Sequence, residues 1–185
     1  MILKCDPVFR CLQEVRSPAS HVIAFTPAGT PYTQKRAHEL AETDEIILLC
    51  GHYEGMDERI MTAVDEQVSV GDYILTGGEL AAMVLTDCVS RFIPGVLGCA
   101  ESTEDESFSD GLLEYPQYTR PRELNGLAVP DVLLNGNHAE IRRWRRRESL
   151  SATLRFRPDL LNNAELSPED RQMIKELESE CSSES

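Results

Sequence analysis

No apolar run in this 185-residue chain reaches the roughly 18 residues that span a bilayer. The opening stretch MILKCDPVFRCL is interrupted by Lys4 and Asp6, so it does not read as a secretory h-region. The six cysteines (Cys5, Cys11, Cys50, Cys88, Cys99 and Cys181) form no C-x-x-C pair and no paired rhythm. They read as reduced, mostly buried thiols of a cytoplasmic protein rather than as disulfides or metal ligands. Positive charge is scarce: the formal net charge is −14. Taken alone, that deficit argues against a nucleic-acid partner, because phosphate contacts need Lys and Arg. Also missing are G-x-G-x-x-G, a P-loop with its lysine, and a G-x-S-x-G nucleophile elbow. These absences exclude the commonest dinucleotide, triphosphate and acyl-transfer sites. None of His21, His38, His52 and His138 stands at a metal-ligand or triad spacing, and they read as ordinary surface or core residues.

What is present suffices for a packed core, since 41% of the residues are hydrophobic. Periodicity predicts a short amphipathic helix over 6–15, a strand over 21–25 and then a turn, TPAGTP. A helix over 32–42, a buried strand over 45–50 and a loop, GHYEGMD, follow. A short helix ERIMTAV, a strand EQVSV and a helix over 79–92 complete the first part. Strands alternating with helices imply an α/β fold with a parallel sheet, whose ligands sit beyond the carboxyl ends of the strands. Helix 79–92 is apolar nearly all round, which suits either a homodimer interface or a central place in one domain. Residues 99–111 are small, polar and acidic and read as a linker between a first domain, 1–98, and a helical second domain, 112–185. There, Ser167 followed by Pro168, Glu169 and Asp170 predicts a helix start.

Three post-strand loops, TPAG, CGHYEG and GDYILTGG, fall at one end of the sheet. Gly51, Gly55, Gly71, Gly77 and Gly78 either turn the chain or let backbone approach a ligand. Tyr53, Glu54, Asp72 and Tyr73 bring carboxylates and aromatic rings, suited to a ligand with a cationic centre and an adenine-like face; a sulfonium is one such cation. Arg91 either complements the dipole at a helix end or steadies a developing anion. Asp105 and Glu106 are either solvated charges or a general base in a closing loop. IRRWRRR, residues 141–147, packs five arginines around Trp144: a solvated helix face, or a phosphate contact that the net charge conceals.

Five longer segments closely resemble the bacterial tRNA (guanine-N1) methyltransferase family: LLCGHYEGMDER, SVGDYILTGGELAAM, DCVSRFIPGVLG, SFSDGLLEYPQYTRP and VPDVLLNGNHAEIRRWR. The resemblance runs from about residue 20 to about residue 150. It implies a sheet domain threaded into a trefoil knot, an S-adenosylmethionine donor, a homodimer whose active sites use both subunits, and methylation of guanosine N1 next to the anticodon, at position 37 of tRNA. Carried over, the donor would meet Pro27, Gly51, Tyr53 and Glu54, the stretch Val70, Gly71, Asp72, Tyr73, Ile74 and Leu75, and the pair Gly77 and Gly78. Arg91 matches the family's arginine. The family's base is an aspartate directly before SF; here Glu106 takes that place and Asp105 stands one residue earlier, so either can serve, with Glu106 favoured by register. Arg145, Arg146 and Arg147 would contact tRNA, and Mg2+ would act without a dedicated protein site. The family also carries an N-terminal strand and glycine-rich loop ahead of the position matching Met1, and this sequence has neither. Two rival readings follow: a catalytically inactive dimeric module that binds the donor and RNA, and a nucleotide-binding α/β protein of another reaction class.

Overall fold

The computed structural model describes residues 1–97 and 106–183 and divides the chain into two compact units, Met1–Ala100 and Glu101–Ser185. In the first, α1 (Cys5–Val15), β1 (Ser20–Pro31), α2 (Gln34–Leu40), β2 (Glu45–Leu49), β3 (Glu66–Ser69) and α3 (Glu79–Ser90) alternate, with a 3-10 turn at Glu58–Ala63. The sheet has the order β2-β1-β3, and both pairings are parallel. Alternation along β1 serves both faces. Val22 packs with Val8, Leu12 and Ile60 on the α1 side, while Ile23 packs with Ala37, Leu40, Val68, Leu85 and Val89 beneath α2 and α3. Asp65 accepts from the Val22 backbone N–H at 2.8 Å and from Arg16 at 2.8 Å, tying the end of α1 to the central strand. Those donors hold the Asp65 carboxyl below its usual range, the backbone N–H foremost.

Two expectations need correction here. The turn expected at TPAGTP is strand: β1 continues to Pro31 and rejoins β3 after a register shift between Phe25 and Thr30. Gly29 makes that possible, because a Cβ there would lie 2.5 Å from the Val68 backbone. Four of the cysteines are less buried than expected: Cys11 is exposed, and Cys5, Cys50 and Cys88 are half-buried, while Cys99 lies outside the described residues.

The second unit contains a two-residue hairpin, β4 (Glu123–Leu124) with β5 (Leu127–Ala128), and two helices, α4 (His138–Phe156) and α5 (Pro168–Ser183). The hairpin adds strand to a region expected to be helical throughout. Asn137 caps α4 through the Ala139 N–H at 3.2 Å. At α5, Ser167 Oγ accepts from the Asp170 N–H at 3.1 Å, and the Asp170 carboxylate accepts from the Ser167 N–H at 2.9 Å, a reciprocal capping box. The core is Leu112, Leu150 and Leu177. Hydroxyls on α4 satisfy the backbone at Leu113: Thr153 Oγ1 accepts its N–H at 2.9 Å and Ser149 Oγ donates to its carbonyl at 2.5 Å.

Candidate functional site

The bulged stretch of β1 at Phe25–Ala28 and the loops that leave the parallel strands β2 and β3 surround a cavity of about 480 Å³. Of the twelve residues expected to meet a donor, all but Asp72 line it; Asp72 belongs to the same loop as Gly71 and Tyr73. The loops are stitched by backbone. Gly78 N–H donates to the Gly51 carbonyl at 2.9 Å, and His52 and Gly77 form an antiparallel bridge. The glycine pair therefore has a use that the sequence did not disclose. A Cβ on Gly78 would lie 2.8 Å from Cys50 Cα, so the close approach at this position is between two loops. A Cβ on Gly77 would meet the side chains of Glu79 and His52 instead.

The loop after β3 folds tightly on itself. Gly71 has φ +146°, Tyr73 N–H donates to the Gly71 carbonyl at 2.9 Å, and Tyr73 Oη donates to the Val70 carbonyl at 3.0 Å. Tyr53 holds φ 63°, a left-handed conformation uncommon for a residue with a Cβ. Tyr53, Tyr73 and Ile74 are all strongly exposed at the cavity, leaving apolar surface for a ligand to cover. Glu58 adds negative charge to the lining, and the Glu54 carboxylate there accepts from the Met1 ammonium at 2.9 Å.

Sequence reasoning overlooked His52. Its Nε2 is hydrogen-bonded to Glu79 Oε1, joining the loop after β2 to the first turn of α3. The Glu79 carboxyl lies below its usual range, mainly through its own backbone N–H and then through His52. The signal was available, since His52 stands inside the quoted GHYEG stretch. Cys50 is pushed up by burial and by the Glu79 charge. Among the described residues no group of three or more His, Cys, Asp and Glu could hold a metal ion.

Arg91 caps the C-terminus of α3 and is half-buried. Glu106 belongs to the second unit, where its carbonyl accepts from the Ser109 N–H at 3.2 Å. Asp105 lies outside the described residues.

The three arginines expected to contact tRNA have partners within the second unit. Arg146 grips the buried Asp170 through Nε and Nη2, at 2.8 and 2.9 Å, and also pairs with Asp110. The guanidinium holds Asp170 at about 2. Arg147 pairs with Glu180 at 2.6 Å. Arg145 lies over the Tyr115 ring, 4.6 Å from its centroid. Arg142 and Arg143, outside that expectation, are the exposed members of the run.

A parallel sheet with a cavity beside its strand ends defines an α/β protein, the class in which small ligands sit at that edge. A sequence model of the family described as tRNA (Guanine-1)-methyltransferase TrmD matches residues 1–163. The chain is 54% identical over 181 residues to a tRNA (guanine-N(1)-)-methyltransferase of Geotalea uraniireducens, covering 96% of this chain and 73% of the relative. It is 55% identical over 183 residues to the enzyme of that name from Geobacter sulfurreducens, covering 97% and 75%. With that of Dictyoglomus turgidum it shares 47% over 184 residues, covering 100% and 75%. The chain belongs to this methyltransferase family.

Proposed function

We propose that this chain methylates N1 of guanosine in tRNA, at position 37 beside the anticodon, with S-adenosylmethionine as donor. The observation that carries the reading is the convergence of the matched glycine-rich loops on one cavity in a chain of this family. The cavity suits the donor: exposed tyrosine rings and Ile74 offer faces for adenine, backbone carbonyls lie around them, and Glu58 favours a cation. When bound, the donor supplies an electrophilic methyl group on a positively charged sulfur.

The remaining chemistry falls to side chains of the protein. Guanine N1 carries a proton and becomes a nucleophile once that proton leaves. Glu106 takes the proton as general base, and Arg91 steadies the negative charge that develops toward O6. Asp105 is the alternative base.

The fold reading behind this is a trefoil-knotted donor domain over 1–98, a linker over 99–111 and a tRNA-binding domain over 112–185. The protein acts as a cytoplasmic homodimer whose active sites draw on both subunits. The outer side of α3 supports the dimer: Leu80, Met83 and Val84 are exposed on a helix whose inner side is buried. No described helix is long and apolar enough to cross a membrane.

Methyl transfer from labelled donor to unmodified tRNA tests the reading, with the label located by nucleoside analysis. The expected product is N1-methylguanosine at position 37; label elsewhere, or none with donor bound, overturns it. Glu106→Gln is expected to lose at least about a hundredfold in single-turnover transfer with donor affinity nearly intact, and Asp105→Asn far less. The opposite ranking makes Asp105 the base.

A further inference from the structure

The second unit holds a groove of about 870 Å³ between the segment 115–122, the residues after β5 and the outer side of α4. Its lining has an unusual composition for this chain. Arg120, Arg122 and Arg145 contribute to it, and among the described residues no aspartate or glutamate does, although the chain carries a net charge of −14. Three aromatic rings, Tyr115, Tyr118 and Trp144, share the same walls. Tyr118 and Trp144 lie 6.3 Å apart at the centroids, tilted by 49°, so neither covers the other's face. Tyr118 is 46% exposed. Arg145 is held over Tyr115, and its Nε is buried with no hydrogen-bond partner among the described residues. A buried N–H left unpaired is costly.

Arg122 is paired with Asp131 at 2.8 Å, so Arg120 and Arg145 carry the positive charge of the aromatic wall, and with no carboxylate among its described lining residues it selects a flat, anionic ligand. A nucleotide has both properties: a base that stacks on aromatic rings and a phosphate that arginine binds. We propose that this groove takes an unpaired nucleotide from a single-stranded segment of the RNA substrate. Its base lies against Tyr118 and Trp144, and its phosphate is held by Arg120 and Arg145. The inference rests on the proposed activity toward tRNA and adds a second contact, separate from the donor cavity and from the base that is methylated. A paired RNA helix keeps its bases stacked inside and cannot offer one to these rings.

Trp144 is the only tryptophan in the chain, so its emission reports on the groove directly. The full chain is titrated with an RNA hairpin carrying an anticodon-type loop, with a blunt, fully paired RNA duplex and with guanosine monophosphate, and methyl transfer is followed on the same preparations. Saturable quenching by the hairpin, little by the duplex and weak quenching by the mononucleotide are expected. Tyr118→Ala should weaken hairpin binding about tenfold, the loss typical of one base–aromatic stack. Arg120→Gln should lower the slope of log affinity against log salt by about one. Both residues are exposed, and helical circular dichroism checks that the variants fold. Absent hairpin binding, binding that leaves Trp144 emission and both variants unaffected, or equal binding of the duplex overturns the proposal. A concentration-dependent shift of Trp144 emission without RNA, indicating a second copy in the groove, overturns it too. Failure of the proposed activity is separable: it appears as no methyl transfer while the groove still binds the hairpin.

Discussion

In the first unit the walls of the cavity are held mainly by main chain: Gly78 bonds to Gly51, Gly77 bridges His52, and Tyr73 N–H closes on the Gly71 carbonyl, with the His52–Glu79 pair and the Tyr73 hydroxyl added to that frame. In the second unit the corresponding work is done by side chains. Arg146 joins Asp110 to Asp170, two α4 hydroxyls satisfy Leu113, and Arg145 leans on Tyr115. A main-chain frame tolerates exchange of most side chains but not the addition of a Cβ where backbones touch. A side-chain frame has the opposite weakness, since losing one partner leaves a buried group stranded.

The sharpest way to break this comparison is Arg146→Ala. Removing the guanidinium leaves Asp170 buried and charged, and the expected loss is about 3–5 kcal/mol from the second unit. Urea unfolding followed by Trp144 emission measures it, and adding Asp170→Asn should recover part of the loss. Next comes Gly78→Val, whose Cβ is directed at Cys50 Cα; a loss of about 2–3 kcal/mol is expected in the first unit. It should reduce donor affinity in calorimetry while the Trp144 transition moves little. Equal shifts of that transition in both variants would erase the distinction between the units.

Acid gives a smaller effect. Asp170 titrates at about 2 in the fold against an ordinary value of 3.8. A lowered folded value means that the stabilisation is complete above about 4 and lost as pH falls through about 2, roughly 2 kcal/mol in all. Trp144 emission in urea across that range should follow this curve, and Asp170→Asn should flatten it. The smallest effect is expected at Arg122. Its pair with Asp131 is exposed on both sides, 69% and 90%, so Arg122→Ala should change stability by under about 0.5 kcal/mol. The same variant should weaken hairpin binding measurably, showing that this arginine serves the groove rather than the fold.

The alternation of strands and helices and the glycine-bearing loops were legible from local pattern, whereas Pro27, Val70, Ile74 and Leu75 came to the cavity only through the family resemblance. The sequence concealed what depends on distant partners. Pro27, Gly29 and Pro31 read as chain breakers, and only the bulge against β3 keeps them in a strand. Arg146 read as free for phosphate because Asp170 and Asp110 stand 24 and 36 residues away. Gly77 and Gly78 line the cavity as expected, but their close contact with the Cys50–His52 stretch was hidden because that stretch follows a different strand. His52 was set aside for lack of a cysteine or serine partner, and its partner is a glutamate 27 residues on.

The strand order β2-β1-β3 places the earliest of the three strands in the middle. Val22 waits for Asp65, 43 residues later, before its N–H finds its acceptor. During synthesis at about 5–20 residues per second, the apolar HVIAF stretch therefore spends several seconds without its second neighbour. A ribosome pausing between β1 and β3 would lengthen that interval and leave two open strand edges available to other nascent chains. Codon choice across residues 26–65 thus bears on the yield of folded protein, although it changes no residue and no contact in the finished molecule.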